Sequence, residues 1–243
     1  MGTVLDAAQV AAARDAADAL LAEHGARSDY GVIALEAWRR QPVFAELLVP
    51  LARVACSLLG VPVVAIFQDL VIDKPPSARA TLPWHQDQAY LPLDRDDGVV
   101  AWVALDDAGG ESGCLRYVSG THREGLRGPA DFPGVERHAD DPEPIDAAGR
   151  QVVVAEARAG EAWFHHPLTW HSSPPNLAAD NRRAWSVWFV GDDTRWAPDR
   201  APDHPYLREL EPTPGTPLDP GRFPRHLGFS SRNPAESVRG WEG

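Results

Sequence analysis

The sequence contains little cysteine. Its two cysteines, Cys56 and Cys114, lie far apart and do not have the Cys-x-x-Cys spacing of a redox or zinc motif. This argues against the disulfide framework of small secreted domains and against a zinc site built from thiolates. We therefore expect a reducing, cytoplasmic environment.

Long apolar runs and basic clusters are also lacking. No uninterrupted apolar stretch approaches the ~18 residues of a membrane-spanning helix, and the first residues do not form a charged segment followed by an apolar one. The net charge is −12, and Lys74 is the only lysine among the 23 basic residues. Because such a surface repels phosphates, we expect a small-molecule partner and neither nucleic acid nor a membrane. The oligomeric state is left open.

Two helical patterns precede the rest of the chain. With 243 residues, 44% of them hydrophobic, the sequence is long enough for a single domain over 1–243. Apolar residues recur every three or four positions in residues 4–24, and Gly25 ends this predicted helix. Residues 43–59 are predicted to form a second helix, with a kink at Pro50 and an end at Gly60. We expect a helical support over about 1–60.

From about residue 61 the pattern becomes one of short strands. Runs rich in β-branched and aromatic residues alternate with Gly, Pro and Asp clusters at 61–73, 98–107, 114–120, 151–157, 161–166 and 184–192. Since no helical pattern separates them, a mainly β antiparallel fold such as a jelly roll of two facing sheets is predicted, with its core at about 61–192. The polar stretch 119–150 predicts a lid or insertion over a site, and 193–243 predicts an irregular C-terminal strap.

The segment LPWHQDQAY, residues 82–90, carries a candidate metal site. In a strand, His85 and Asp87 would point to the same face about 6.6 Å apart and could reach one ion. An isolated His-x-Asp is more often a solvated turn. Two imidazoles and one carboxylate would leave three octahedral positions open, an arrangement that suits Fe(II). Spacing alone does not choose the third ligand from His165, His166 and His171.

Four sequence blocks together resemble the phytanoyl-CoA dioxygenase-like family of Fe(II)- and 2-oxoglutarate-dependent oxygenases. In chain order they are PWHQD, WVALDD followed by Gly113, CLRYVSGTHREG, and GEAWFHHPLTWHSSPPNLAADNRR. The resemblance runs from about Val63 to Val190. One departure is Ser119, which stands where the family usually has proline and leaves that turn less rigid.

The resemblance implies the third ligand. The family's distal histidine begins an H-x-S-x-x-N segment that an arginine follows eleven residues after the histidine, and this chain has the same offsets in His171, Ser173, Asn176 and Arg182. His171 is therefore expected to complete the site with His85 and Asp87. A double-stranded β-helix, or cupin-like jelly roll, is implied as the fold, with Fe(II), 2-oxoglutarate and O2 as cofactor and cosubstrates.

Four further residues are implied for 2-oxoglutarate. Arg182 is expected to hold the 5-carboxylate with two charge-assisted hydrogen bonds, beside a hydroxyl donor from Ser173. Strand alternation would send Arg182 and Arg183 to opposite faces, so only one should enter the pocket. Trp102 matches a family position that lines this pocket, and Gln68 could donate to the 1-carboxylate. Trp102 could equally be core, and Gln68 could satisfy backbone groups.

The other histidines are not expected to bind the metal. We place His165 and His166 near it without ligation, and His122 and His138 in loops. The carboxylate of Asp87 favours oxygenation, desaturation, cyclisation or epimerisation over halogenation, because related halogenases have a small residue there.

Aromatic residues crowd the segments that carry the candidate ligands. They suit a ring-bearing or sugar-bearing substrate of bacterial secondary metabolism, although much of the set could equally be core. These residues are Trp84, Tyr90, Trp163, Phe164 and Trp170. An acyl-CoA fits less well because the chain has no evident basic patch for its phosphates. Two alternatives are a cupin-like metalloprotein of the isomerase type, which would need the triad but not Arg182, and a carbohydrate-binding jelly roll, which would need only the aromatics.

Overall fold

The computed structural model describes residues 2–28, 31–76, 81–127, 147 and 149–228. Most of the predicted lid, including His138, and the last part of the predicted strap lie outside the described residues. The described chain forms two antiparallel sheets that face each other, with helices on the outer face of the larger sheet. The mainly β jelly-roll fold predicted from the sequence is therefore confirmed.

Twelve strands occur in the described residues. In chain order they are β1 (Gly2–Thr3), β2 (Ala26–Ser28), β3 (Gly31–Leu35), β4 (Val63–Lys74), β5 (Leu82–His85), β6 (Gly98–Ala104), β7 (Leu115–Val118), β8 (Val152–Ala155), β9 (Glu161–His165), β10 (His171–Ser173), β11 (Arg182–Gly191) and β12 (Arg225–Leu227). The larger sheet has the order β1-β9-β6-β11-β4-β3-β2, with β12 also paired to β4. The smaller sheet has the order β5-β10-β7-β8.

The long strands β4 and β11 form the centre of the larger sheet. They pair antiparallel from Arg182↔Lys74 to Gly191↔Val64. Successive side chains of a strand point to opposite faces, and β11 shows this clearly. Trp185 packs toward the helices, with its ring 4.9 Å from that of Phe44, whereas Ser186 lines a cavity between the sheets.

Helices cover the outer face of the larger sheet. They are α1 (Ala7–His24), α2 (Ala37–Arg40) and α3 (Pro42–Leu59), while α4 (Pro205–Leu210) lies in the C-terminal segment. Asp6 begins α1 with a reciprocal capping box to Gln9. The helix α3 continues through Pro50 and ends at Gly60, whose φ of 68° is left-handed.

Helix α3 is long and apolar enough to cross a membrane by length and composition, with a mean hydropathy of 1.7. This is weak evidence, because a core helix of a globular protein meets the same criterion. Phe44, Leu47 and Leu51 of this helix are buried in the main hydrophobic core.

Several short elements were not predicted. Strands β2 and β3 form a hairpin between the helices, and β3 extends the larger sheet beside β4. The predicted strap is not wholly irregular, because it contains α4 and the strand β12. These elements are short, so their sequence periodicity is too brief to distinguish them from loops.

Candidate metal centre and the adjoining cavity

Three short elements bring His85, Asp87 and His171 together. His85 ends β5, and His171 begins β10 and is its direct register partner. Asp87 begins a short 3-10 helix, Asp87–Tyr90, so the expectation that it shares a strand with His85 is wrong. The tight turn nevertheless returns the carboxylate to the cluster, and one candidate ligand atom from each residue lies within 4.8 Å of the others.

The hydrogen bonds of both imidazoles direct their Nε2 atoms to the centre of this cluster. His85 Nδ1 lies 2.8 Å from the Pro83 carbonyl oxygen, and His171 Nδ1 lies 3.0 Å from that of Thr169. Because a carbonyl only accepts, each Nδ1 carries the hydrogen, which leaves Nε2 as the ring nitrogen that can ligate a metal. Oδ1 of Asp87 lies 3.5 Å and 3.6 Å from these two Nε2 atoms.

The charge states also suit a cation. All three side chains are buried. Burial opposes ionisation of Asp87, but the three surrounding histidines, His171, His165 and His85, outweigh it and hold the pKa of Asp87 well below its usual value. Burial and the neighbouring His85 hold the pKa of His171 well below its usual value. A carboxylate beside neutral imidazole is the state that binds a metal.

The two other histidines of this segment behave differently. His165 lies beside Asp87, with Nε2 3.2 Å from Oδ2. His166 follows the end of β9, and its Nδ1 accepts from the Leu168 amide. Its ring lies 5.5 Å from that of His122, which is in the short 3-10 helix Thr121–Glu124 and not in a loop as expected.

A cavity of about 560 Å³ lies between the sheets and includes His85, Asp87 and His171 in its lining. Lys74 and Arg182 line it where β4 pairs with the start of β11, and Gln68 and Trp188 line it six residues further along β4. At the rise of a strand, this separation corresponds to about 20 Å. The cavity is therefore long enough to take two small molecules beside the cluster.

Arg182 is buried in this cavity and has no acidic partner among the residues that the structure describes. Its side chain is 1% exposed, and Nη2 donates to the Gly113 carbonyl oxygen at 3.0 Å. Nε and Nη1 have no hydrogen-bond partner in the described part of the chain. Burial lowers the pKa of Arg182 to about 10. A buried cation with unpaired donors is unfavourable, so this arrangement indicates an anionic ligand.

Arg183 lies on the opposite face of β11. It forms ion pairs with Asp106 at 2.8 Å and with Asp18 at 2.7 Å. Only one arginine of the pair enters the cavity, which is the distribution that strand alternation predicts.

A second buried cation, Lys74, was missed by the sequence analysis. It is fully buried at the end of β4, where Nζ donates to the Ser173 hydroxyl at 2.8 Å, to the Ser173 carbonyl oxygen at 3.3 Å and to the Pro174 carbonyl oxygen. Burial and the neighbouring Arg182 lower the pKa of Lys74 to about 7. One signal was available: in a chain whose other basic residues are all arginine, the single lysine occupies this position.

Ser173 links the two cations. Its hydroxyl donates to the Gly113 carbonyl oxygen at 2.8 Å and accepts from Lys74 at 2.8 Å and from Arg182 at 3.4 Å. The hydroxyl hydrogen expected to face a carboxylate is thus directed to the backbone. Ser173 holds the arginine in place in this arrangement.

Trp102 and Gln68 both line the cavity. The guanidinium carbon of Arg182 lies 5.5 Å from the Trp102 ring centroid, within cation–π range. Gln68 Oε1 lies 3.1 Å from His204 Nε2. Because His204 Nδ1 accepts from the Tyr206 amide, Nε2 is the donor. Gln68 thus pairs with a side chain of the C-terminal segment and not with backbone groups.

Of the five aromatic residues considered for the substrate, Tyr90 alone is in the described lining of the cavity. The other four are core residues of hydrophobic clusters, as the alternative interpretation expects, namely Trp84, Trp163, Phe164 and Trp170. Trp188 was missed: it lines the cavity, and its buried Nε1 has no partner among the described residues.

Fold and site together define a cupin-like jelly-roll protein with a two-histidine, one-carboxylate cluster and a basic cavity lining. The sequence pattern of the family described as phytanoyl-CoA dioxygenase (PhyH) matches residues 2–184. The chain therefore belongs to the PhyH family. The match includes the N-terminal helices, which the resemblance read from the sequence did not reach.

Curated relatives are similar over part of their length. The phytanoyl-CoA dioxygenase domain-containing protein 1 of Mus musculus is 30% identical over 190 residues, covering 74% of this chain and 61% of the relative. The peroxisomal phytanoyl-CoA dioxygenase of Homo sapiens is 31% identical over 143 residues, covering 56% and 42%. The chain spans about half the length of the curated relatives it matches.

Solved structures resemble the chain over nearly its whole length. The non-heme α-ketoglutarate-dependent carbocyclase SnoK from nogalamycin biosynthesis is 26% identical with a TM-score of 0.75, covering 92% of this chain and 89% of that one. The epimerase SnoN, in complex with Fe3+, α-ketoglutarate and nogalamycin RO, is 27% identical with a TM-score of 0.77, covering 92% and 91%.

Proposed function

We propose that this protein is a 2-oxoglutarate-dependent non-heme iron oxygenase that modifies a small molecule. The observation that carries the proposal is that one cavity contains both the buried His85, Asp87 and His171 cluster and the donors of Arg182 that have no partner among the described residues. An isomerase-type metalloprotein would have no use for these donors. A carbohydrate-binding jelly roll would need neither feature.

The donor set fits iron. Two neutral imidazoles and one carboxylate, all buried, form the facial triad typical of non-heme Fe(II) enzymes. We propose His85, Asp87 and His171 as the ligands. When bound, iron and 2-oxoglutarate supply the oxidation: O2 is consumed, 2-oxoglutarate becomes succinate and CO2, one oxygen atom enters succinate, and the other enters the substrate or leaves as water.

The protein's own residues would hold and orient the cosubstrate. Arg182 offers unpaired Nε and Nη1 groups to the 5-carboxylate. Lys74 adds a second buried positive charge, and Ser173 and Trp102 keep the guanidinium in place. The 2-oxo acid end would then face the open metal positions. Since these groups are buried, water is largely excluded and the charges act strongly.

We propose that the remainder of the cavity binds the substrate. Its lining is mostly apolar, with hydrogen-bonding groups at Trp188 and Gln68, as suits a ring-bearing or sugar-bearing molecule. The cations of its described lining are Arg27 and the two buried ones, Lys74 and Arg182, too few for the phosphates of a CoA ester. The SnoK and SnoN structures support tailoring of a bacterial secondary metabolite by hydroxylation, cyclisation or epimerisation. A cytoplasmic location, a single domain over 1–243 and the absence of nucleic-acid or membrane partners stay predictions.

Anaerobic titration tests the proposal. Adding Fe(II) and then 2-oxoglutarate should produce a weak visible charge-transfer band in the wild type, and admission of O2 should yield succinate. His171→Ala should abolish iron retention and the band. His166→Ala, a change in the same segment, should keep both. A wild-type protein without the band, or equal losses in the two variants, would contradict the proposal.

A further inference from the structure

Three buried side chains form a hydrogen-bonded chain that ends at the metal cluster. It runs from Tyr117 in the smaller sheet to His165 in the larger sheet and then to Oδ2 of Asp87. We infer that His165, held by Tyr117, fixes Asp87 so that only Oδ1 can bind the metal; this inference rests on the proposed function. His165 and Tyr117 would act as positioning residues, and they would keep the positions needed by cosubstrate and O2 open.

The direction of the hydrogen bonds follows from chemistry. The Asp87 carboxylate only accepts, so His165 Nε2, 3.2 Å from Oδ2, must donate. In the neutral ring the other nitrogen, Nδ1, accepts, and the Tyr117 hydroxyl, 3.1 Å away, donates to it. All three side chains are buried, with 9% or less exposed. No water is needed to complete the chain.

This tautomer is the reverse of that in the two candidate ligands. His85 and His171 donate from Nδ1 to carbonyl oxygens and direct Nε2 to the cluster. His165 uses Nε2 as a donor and therefore has no lone pair on the side of the cluster. This explains why His165 is not a ligand, although its ring centroid lies 4.7 Å from that of His171. Its place in the site is that of a donor to the carboxylate.

The two oxygens of Asp87 consequently have separate tasks. Oδ1 faces His85 Nε2 and His171 Nε2, and Oδ2 is occupied by His165. Carboxylates can bind a metal through one oxygen or two. Binding through both would fill one of the three positions that an octahedral ion with three protein ligands leaves open. A charge-assisted hydrogen bond to Oδ2 opposes this.

The number of metal-bound waters measures this role without relying on activity. Mn(II) bound to the protein, without cosubstrate, can be examined by EPR in water enriched in oxygen-17, whose line broadening reports how many waters bind. We expect three waters in the wild type and one fewer in His165→Leu. His165→Gln, whose amide keeps an N–H donor, should restore three waters. Affinity for Mn(II) in His165→Leu should fall by about 10- to 100-fold.

Two further variants keep the result interpretable. Tyr117→Phe preserves the ring but removes the outer hydrogen bond, and we expect a smaller loss of Mn(II) affinity than in His165→Leu. His166→Gln, the adjacent histidine, should keep three waters and wild-type affinity. If His165→Leu folds and retains three waters at unchanged affinity, the inference fails while the proposed function stands. If the wild type does not bind Mn(II), or if His171→Ala binds it as tightly as the wild type does, the proposed function itself fails.

Discussion

Replacing Arg182 by methionine should separate stability from cosubstrate binding. Burial lowers the pKa of Arg182 from 12.5 to about 10, which corresponds to about 3 kcal/mol against the charged form. Methionine removes this penalty and loses the hydrogen bond to Gly113, the long 3.4 Å hydrogen bond to Ser173 and the contact with Trp102, together worth about 2 kcal/mol. The Gly113 carbonyl keeps its hydrogen bond from Ser173, so no acceptor is left without a partner.

The cosubstrate-free variant should therefore be more stable by about 1 kcal/mol, which raises Tm by about 2–4 °C in a chain of this size. Its affinity for 2-oxoglutarate should fall by about 100-fold or more, because two charge-assisted hydrogen bonds contribute at least about 3 kcal/mol. Thermal denaturation with and without 2-oxoglutarate measures both quantities. Our reasoning about the cavity is refuted if Arg182→Met loses several degrees of Tm yet keeps the cosubstrate-induced rise.

The matched control is Arg183→Met, one residue along the same strand. Arg183 is paired with Asp106 and Asp18 on the opposite face, and its replacement leaves the partly buried Asp106 carboxylate with fewer partners. We expect lower stability and an unchanged Tm rise with 2-oxoglutarate. A loss of that rise would mean that the cosubstrate effect is not specific to the cavity face of β11.

Two other changes follow from the same groups. The pKa of Lys74 is lowered from 10.5 to about 7 in the folded protein. Because the unfolded chain binds this proton more tightly, the free energy of unfolding should rise between about pH 7 and 10.5. Urea denaturation across this window should show the rise in the wild type and not in Lys74→Met, and parallel curves for the two proteins would contradict the lowered pKa. Gly113 has a φ of +74°, and an added Cβ would lie 2.6 Å from the Pro174 carbonyl oxygen and 3.1 Å from Lys74 Cδ. Gly113→Ala should therefore cost about 1–3 kcal/mol of stability and weaken 2-oxoglutarate binding. At Gly110 an added Cβ has nothing within 4 Å, so Gly110→Ala should leave that binding unchanged. Equal effects of the two substitutions would contradict the predicted strain at Gly113.

The parts of the fold that could be predicted are those with long local patterns. Strands β4 and β11 have 12 and 10 residues, and helices α1 and α3 have 18 each, so their periodicity is readable. The strands that carry the candidate ligands His85 and His171, β5 and β10, have only 4 and 3 residues. They exist as strands because each pairs with the other, and the pairing joins His85 to His171 across a long stretch of sequence.

Some features of the candidate site could likewise be predicted from the sequence, and others could not. Offsets within one segment placed His171 and Arg182 in a common motif, and strand alternation separated Arg182 from Arg183. The aromatic residues that line the cavity could not be predicted from their proximity in sequence to the candidate ligands, because alternate residues of a strand face different layers. In β9, for example, Trp163 and Phe164 pack in separate clusters. The roles of Lys74 and His165 depend on hydrogen bonds to residues distant in the chain.

The pairing of β4 with β11 suggests why one scaffold can serve different substrates. Lys74 faces Arg182 at one register position, and Gln68 faces Trp188 six positions further along, about 20 Å away. Lys74 and Arg182 are connected to one another through Ser173 and Gly113, whereas Gln68 is hydrogen-bonded to His204 of the C-terminal segment. We therefore expect that changes in that segment reshape the proposed substrate region while the cations proposed to hold 2-oxoglutarate keep their positions.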